Sequence, residues 1–129
     1  MPSPLIDTAV ESVTRPRVAL RLEGAIAAAA AGTAYFHYGH PWWLFLALLL
    51  APDVSFAGYA GGQRLGVAVY NAAHAYVGPL ILLTYGSVAG NGAAVAVALV
   101  WVVHIGGDRA LGFGLKYPTA LKETHLDRV

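Results

Sequence analysis

Cysteine is absent from this chain of 129 residues, which excludes disulfides, thiolate metal sites and a cysteine nucleophile. Charge is scarce as well. Only 12% of the residues are Asp, Glu, Lys or Arg, and a net charge of +1 offers no basic surface for nucleic acid. No glycine-rich phosphate loop, no nucleophile elbow and no HExxH is present, so three common catalytic chemistries find no support. Internal repeats are missing too, and the length leaves room for one domain.

What abounds is apolar: 57% of the residues are hydrophobic and the mean hydropathy is +0.59, the composition of a membrane protein. Four runs approach the roughly 20 residues that a helix needs to cross a bilayer. They extend from about Val18 to Tyr38, Trp42 to Ala60, Leu65 to Tyr85 and Gly92 to Gly112. Lipid offers backbone amides no partner, and none of the runs alternates as a barrel strand does, so each is expected to be helical. The separating pieces HYGHP, GGQR and GSVAGNG are short and glycine-rich, which suits antiparallel neighbours. The expectation is an all-α integral membrane four-helix bundle with up-down topology over residues 17–113. A cytoplasmic tail follows over 114–129. Residues 1–16, MPSPLIDTAVESVTRP, show neither periodicity nor a basic stretch before an apolar core, and read as a disordered tail rather than a signal peptide.

All eight basic residues fall on one side of such a bundle. Arg15, Arg17 and Arg21 begin helix one, Arg64 lies in the second turn, and Arg109, Lys116, Lys122 and Arg128 come at or after the end of helix four. Basic residues collect on the cytoplasmic face, so both termini are expected there. His37, His40, Trp42 and Trp43 then mark the outer interface.

Counting about 1.5 Å per residue from the cytoplasmic ends puts Glu23, Asp53, Asn71, His74, His104 and Asp108 at depths of roughly 6 to 14 Å. A charge at the bilayer centre costs about 2.5 to 3.5 kcal/mol. Asp53, His74, His104 and Asp108 are therefore expected to face inward and satisfy one another. His104 and Asp108 are four apart on one helix face, as are Tyr70 and His74. Pro52 frees a carbonyl one turn back, which makes room for water or an ion near Asp53.

Two imidazoles and two carboxylates around one point suit a divalent metal such as zinc, manganese or iron, or a division of acid and base roles. Glu23, Asn71, Arg109 and Lys116 are the candidates for holding a substrate, the last two at the cytoplasmic mouth. A simple hydrogen-bond lock between helices is the structural alternative for His104 and Asp108. Gly58 with Gly62, and Gly106 with Ala110 and Gly114, are small residues four apart that suit close helix packing. Tyr117, Leu121 and Leu126 are spaced to lay the tail along the mouth, with His125 over the site.

LEG at 22–24, PWWLFLALLLAPDVSFAGY at 41–59, YNAAH at 70–74, HIGGDRALGFGLKYP at 104–118 and THL at 124–126 together resemble a family of small bacterial integral-membrane proteins, domain of unknown function 4260. The resemblance spans about residues 20–126 and implies a multi-pass membrane fold but no activity. Relatives tend to carry glycine where this chain has Asp127, and some carry a second histidine where it has Ala75.

Two functions follow from these readings. The first is a membrane enzyme, a metal-dependent hydrolase or lyase, acting on a lipid-like or small apolar substrate that enters from the inner leaflet. The second is a proton-coupled transporter, a homodimer of four-helix protomers in which Glu23 or Asp53 exchanges protons. Its architecture is similar to that of small multidrug-resistance transporters, which also carry a glutamate in their first helix.

Overall fold

The computed structural model describes residues 3–117, 120–124 and 126. Helix α1 spans Pro4–Thr14 and α2 spans Pro16–His37. The prolines that suggested a disordered tail are helix starters here. Ser3 Oγ accepts from the Ile6 amide at 3.3 Å, and Pro4 takes the first turn, where its missing N–H costs nothing. Pro16 does the same for α2 and holds Arg15 extended, at φ −65° and ψ 135°, which ends α1. Residues 4–14 are therefore helical, contrary to the expected disorder.

Prolines also break two of the expected spans. Helix α3, Trp42–Leu49, gives way to a 3-10 helix over Ala51–Gly61 with Pro52 in its first turn. Helix α4, Gln63–His74, stops short of Pro79; Ala75 is extended, and α5 resumes over Val77–Ala89. A proline at 79 can give no hydrogen bond to the carbonyl at 75, and its ring crowds that carbonyl, which is where the chain leaves the helix. Helix α6, Gly92–Leu111, is continuous and ends at Gly112, whose φ of 96° needs a residue without Cβ.

Two of these stretches, Trp42–Gly61 and Gly92–Leu111, are long and apolar enough to cross a membrane. The α4–α5 pair makes a third if its 42° bend is counted within one span. Helix α2 is long enough at 22 residues, but its alanines and its Arg17, Arg21 and Glu23 leave it less apolar, and it is not among them.

Helix α6 is the hub, packing against α2, α3 and α5, while the 3-10 helix lies along α4. Helices α2 and α6 approach closely: a Cβ on Gly24 would lie 2.8 Å from the Gly106 carbonyl oxygen and would run into Arg109 Cβ. Small residues at this crossing do the packing work expected of Gly106. Beyond it, Ala31 and Tyr35 of α2 meet Ala96, Leu99 and Val100 of α6 in the core, and the Tyr35 hydroxyl donates to the Pro41 carbonyl at 2.6 Å.

After α6 the chain forms a two-stranded antiparallel pair, β1 (Lys116–Tyr117) with β2 (Ala120–Thr124), where a plain tail was expected. Leu126 is buried, and its carbonyl accepts from Arg17 Nε at 2.8 Å. Arg21 Nε likewise donates to the Ala110 carbonyl at 2.9 Å, so the start of α2 is tied both to the end of α6 and to the C-terminal segment. His125 and the side chains of Tyr117 and Leu121 lie outside the described residues.

Candidate functional site

The helix breaks supply the hydrogen-bond acceptors from which the site is built. In an uninterrupted α-helix the Asp53 amide would donate to the Leu49 carbonyl. In the 3-10 geometry it donates to Leu50 instead, at 3.1 Å, and the Leu49 carbonyl is left for another donor. His104 Nδ1 takes that place. On α4, His74 Nδ1 donates to the Tyr70 carbonyl at 2.9 Å. The end of α4 is satisfied by side chains: the Ala73 carbonyl accepts from Trp101 Nε1 at 2.6 Å and the His74 carbonyl from Arg109 Nη2 at 3.1 Å.

A carbonyl can only accept, so both Nδ1 atoms carry hydrogen and both Nε2 atoms of the neutral rings present a lone pair. Those lone pairs point at one spot. His74 Nε2 and His104 Nε2 are 3.1 Å apart, Asp53 Oδ1 stands 3.5 and 3.3 Å from them, and Asp108 Oδ2 stands 3.7 and 3.2 Å from them. All four donor atoms lie within 4.8 Å of one another. Without a cation, two lone pairs and two carboxylates would converge in a repulsive array. Four ligands at about 2.0 to 2.1 Å from a tetrahedral zinc stand about 3.3 to 3.4 Å apart, and the five spacings that involve a histidine, 3.1 to 3.7 Å, bracket that value, while the two carboxylates lie within 4.8 Å of each other.

The histidines are buried, 2% and 7% exposed, whereas the side chains of Asp108 and Asp53 are 27% and 48% exposed. The centre is therefore closed on its imidazole side and open on its carboxylate side. The Tyr70 ring stacks on His74, 3.9 Å between centroids and 12° from parallel, and the Lys116 ammonium lies 4.7 Å from the Tyr70 centroid. Burial pushes the Lys116 pKa down, while the nearby Asp108 carboxylate opposes that shift.

The other expected substrate-holding residues have different surroundings. Asn71 exchanges two hydrogen bonds with the Lys116 backbone, donating at 2.9 Å and accepting at 2.7 Å, and so fastens β1 to α4. Arg109 does not reach an open mouth. It is 7% exposed, because the contact of its Cβ with Gly24 turns it into the α2–α6 crossing, where it caps α4. Glu23 is exposed on α2 and stands outside the four-residue group, so three of the expected four helical stretches build the centre. Sequence reasoning missed Leu49 and Trp101. The signal for the first was Pro52, three residues on; Trp101 lies one turn before His104 in α6.

No curated protein and no solved structure matches the chain. The sequence profile of one domain family does, over residues 17–129, which takes in every element from α2 to the final strand pair and all four residues of the cluster. The chain belongs to the family described as domain of unknown function DUF4260.

Proposed function

We propose that this chain is a multi-pass protein of a bacterial cytoplasmic membrane in which Asp53, His74, His104 and Asp108 hold a divalent metal ion and act as a small enzyme, a hydrolase or lyase. The observation that carries this reading is the pair of histidines whose Nδ1 atoms are committed to carbonyls, leaving both Nε2 lone pairs aimed at two carboxylates. Two carboxylates with a divalent ion are neutral overall, which lowers the cost of keeping them among apolar helices. Zinc, manganese or iron suits the mixture of imidazole and carboxylate. A bound ion would supply Lewis acidity and an activated water. The chain's own part is to orient His74 and His104, to exclude water on the imidazole side, and to leave Asp53 facing the opening. Lys116, above Tyr70, is positioned to attract an anionic group toward Asp108.

The membrane reading rests on the two apolar spans, with a third across the bend, and on the clustering of Arg17, Arg21 and the segment after α6 at one end of the molecule. Both termini are cytoplasmic in this topology.

A second reading has its own observation: Nε2 atoms 3.1 Å apart share a hydrogen bond when one ring is protonated, as in a proton-handling site of a homodimeric transporter. Elemental analysis of protein purified in mild detergent separates the two. We expect about one metal ion per chain, lost in both His74→Ala and His104→Ala. Metal-free wild-type protein, after growth in medium supplied with all three metals, would sink the enzyme reading.

A further inference from the structure

A half-open cavity of about 270 Å³ lies where the α3 to 3-10 junction, α4 and α6 meet, the same three stretches that carry the centre. Leu48, Pro52 and Ser55 line one wall, and Ala73, Val97 and Trp101 line the others. On each wall the lining comes beside a member of the cluster: Pro52 precedes Asp53, Ala73 precedes His74, and Trp101 lies one turn before His104. The cavity is preformed. Trp101 is pinned by its hydrogen bond to the Ala73 carbonyl, and its ring fills the space beside Gly78, where a Cβ would come within 2.6 Å of it.

A water takes up about 30 Å³ of liquid and needs two to four polar partners, so this volume would hold on the order of nine waters between walls that can bind almost none. The one exception is informative. Ser55 Oγ is shielded from solvent and has no hydrogen-bond partner among the described residues, two residues along the chain from Asp53. A buried hydroxyl left unpaired is costly, and a polar group of a bound molecule would satisfy it. Along α6 the order is Val97, Trp101, His104, Asp108: apolar cavity first, polar centre next, then the end of the helix.

We propose that this cavity seats the hydrocarbon chain of a single-chain amphiphile whose polar head lies at the Asp53, His74, His104 and Asp108 centre. The proposal rests on the metal reading above and supplies its substrate class. Ser55 hydrogen-bonds a carbonyl or hydroxyl where chain meets head. The volume of about 270 Å³ suits one chain rather than the two of a bilayer phospholipid.

The test uses the full chain in lipid nanodiscs, loaded with zinc and assayed for metal before each measurement. The probe is dodecyl hydroxamate, whose head binds zinc, carrying a diazirine at mid-chain; the control is dodecanol with the same diazirine and no metal-binding head. After irradiation, mass spectrometry maps the labelled residues. We expect the hydroxamate to label Ala73, Val97 and Trp101 about tenfold more than the alcohol does. Val97→Trp, or Ala73→Leu should the first variant fold poorly, is expected to erase that excess while zinc stays bound. Equal labelling by the two probes would mean that bulk lipid fills the cavity. That result, or an excess that survives both filled variants, overturns the proposal with the metal centre intact. Failure to retain zinc appears in the metal assay and removes the centre itself.

Discussion

His104 is held in one tautomer by a carbonyl that an ordinary helix would have used, and Asp108, one turn further along α6, faces the other nitrogen. This arrangement separates a structural role from a chemical one by single substitutions. Asp108→Asn and Asp53→Asn keep the shape and hydrogen-bonding capacity of the side chains and remove one charge each. As mere helix locks they would matter little, since polar contacts in membrane bundles average about 0.6 kcal/mol. We expect both variants to melt in detergent close to wild type and to lose metal by more than the roughly 10- to 100-fold that supporting hydrogen-bond partners cost. Loss of folding in both, or full metal content in both, would return the pair to a structural role. At this scale the sequence is legible in height, and in direction only for the four residues whose polarity turns them from lipid. Counting residues from the helix ends predicted that Asp53, His74, His104 and Asp108 share a level, and their donor atoms lie within 4.8 Å. It gave no angle about each helix axis. Arg109, turned inward by its contact with Gly24, and Glu23, left exposed, both depend on that angle.

At the scale of elements, prolines start two of the helices and interrupt two of the expected spans. Pro4 and Pro16 start helices, whereas Pro52 and Pro79 interrupt them, and the same residue type acts oppositely according to whether a preceding turn needs its N–H. That distinction is only partly readable in the sequence: Pro52 can be seen to free a carbonyl, but the break before Pro79 and the helix after Pro4 cannot be seen. A continuous apolar run hides an interruption, because composition is indifferent to backbone hydrogen bonding. Pro52→Ala tests the consequence. With an N–H restored, the segment can continue as α-helix, the Asp53 amide returns to the Leu49 carbonyl, and His104 loses its acceptor. We expect metal affinity to fall roughly 10- to 100-fold while thermal stability holds or rises. Unchanged affinity, measured by chelator competition, would show that the Leu49 contact does not orient the ring.

For the molecule as a whole, the proposed topology rests on where the basic residues gather, and reporter fusions measure it directly. Fusions after Gly61 and Val129 are expected to report the cytoplasm, and those after Gly39 and Gly90 the opposite side. An external signal at Gly61 or Val129 would overturn the orientation. The apolar runs suggest four spans, whereas two stretches, or three with the bent α4–α5 pair, are long and apolar enough to cross a membrane; the arrangement, with α6 against α2, α3 and α5, is not legible in those runs. Among the small residues four apart, Gly106 does meet a definite neighbour, packing against Gly24 and Ala28 of α2.

The central position of α6 also bears on biosynthesis. It is made after α2, α3 and α5, yet it carries His104 and Asp108 and packs against all three. Until it arrives, Asp53 and His74 make an incomplete pair, and α2 lacks its main partner. A nascent or truncated chain therefore has no complete ligand set with which to trap the wrong ion. Under the proposed metal reading, loading waits until α6 has been made, and chains that stop before it present unpartnered helices that proteolytic surveillance can recognise.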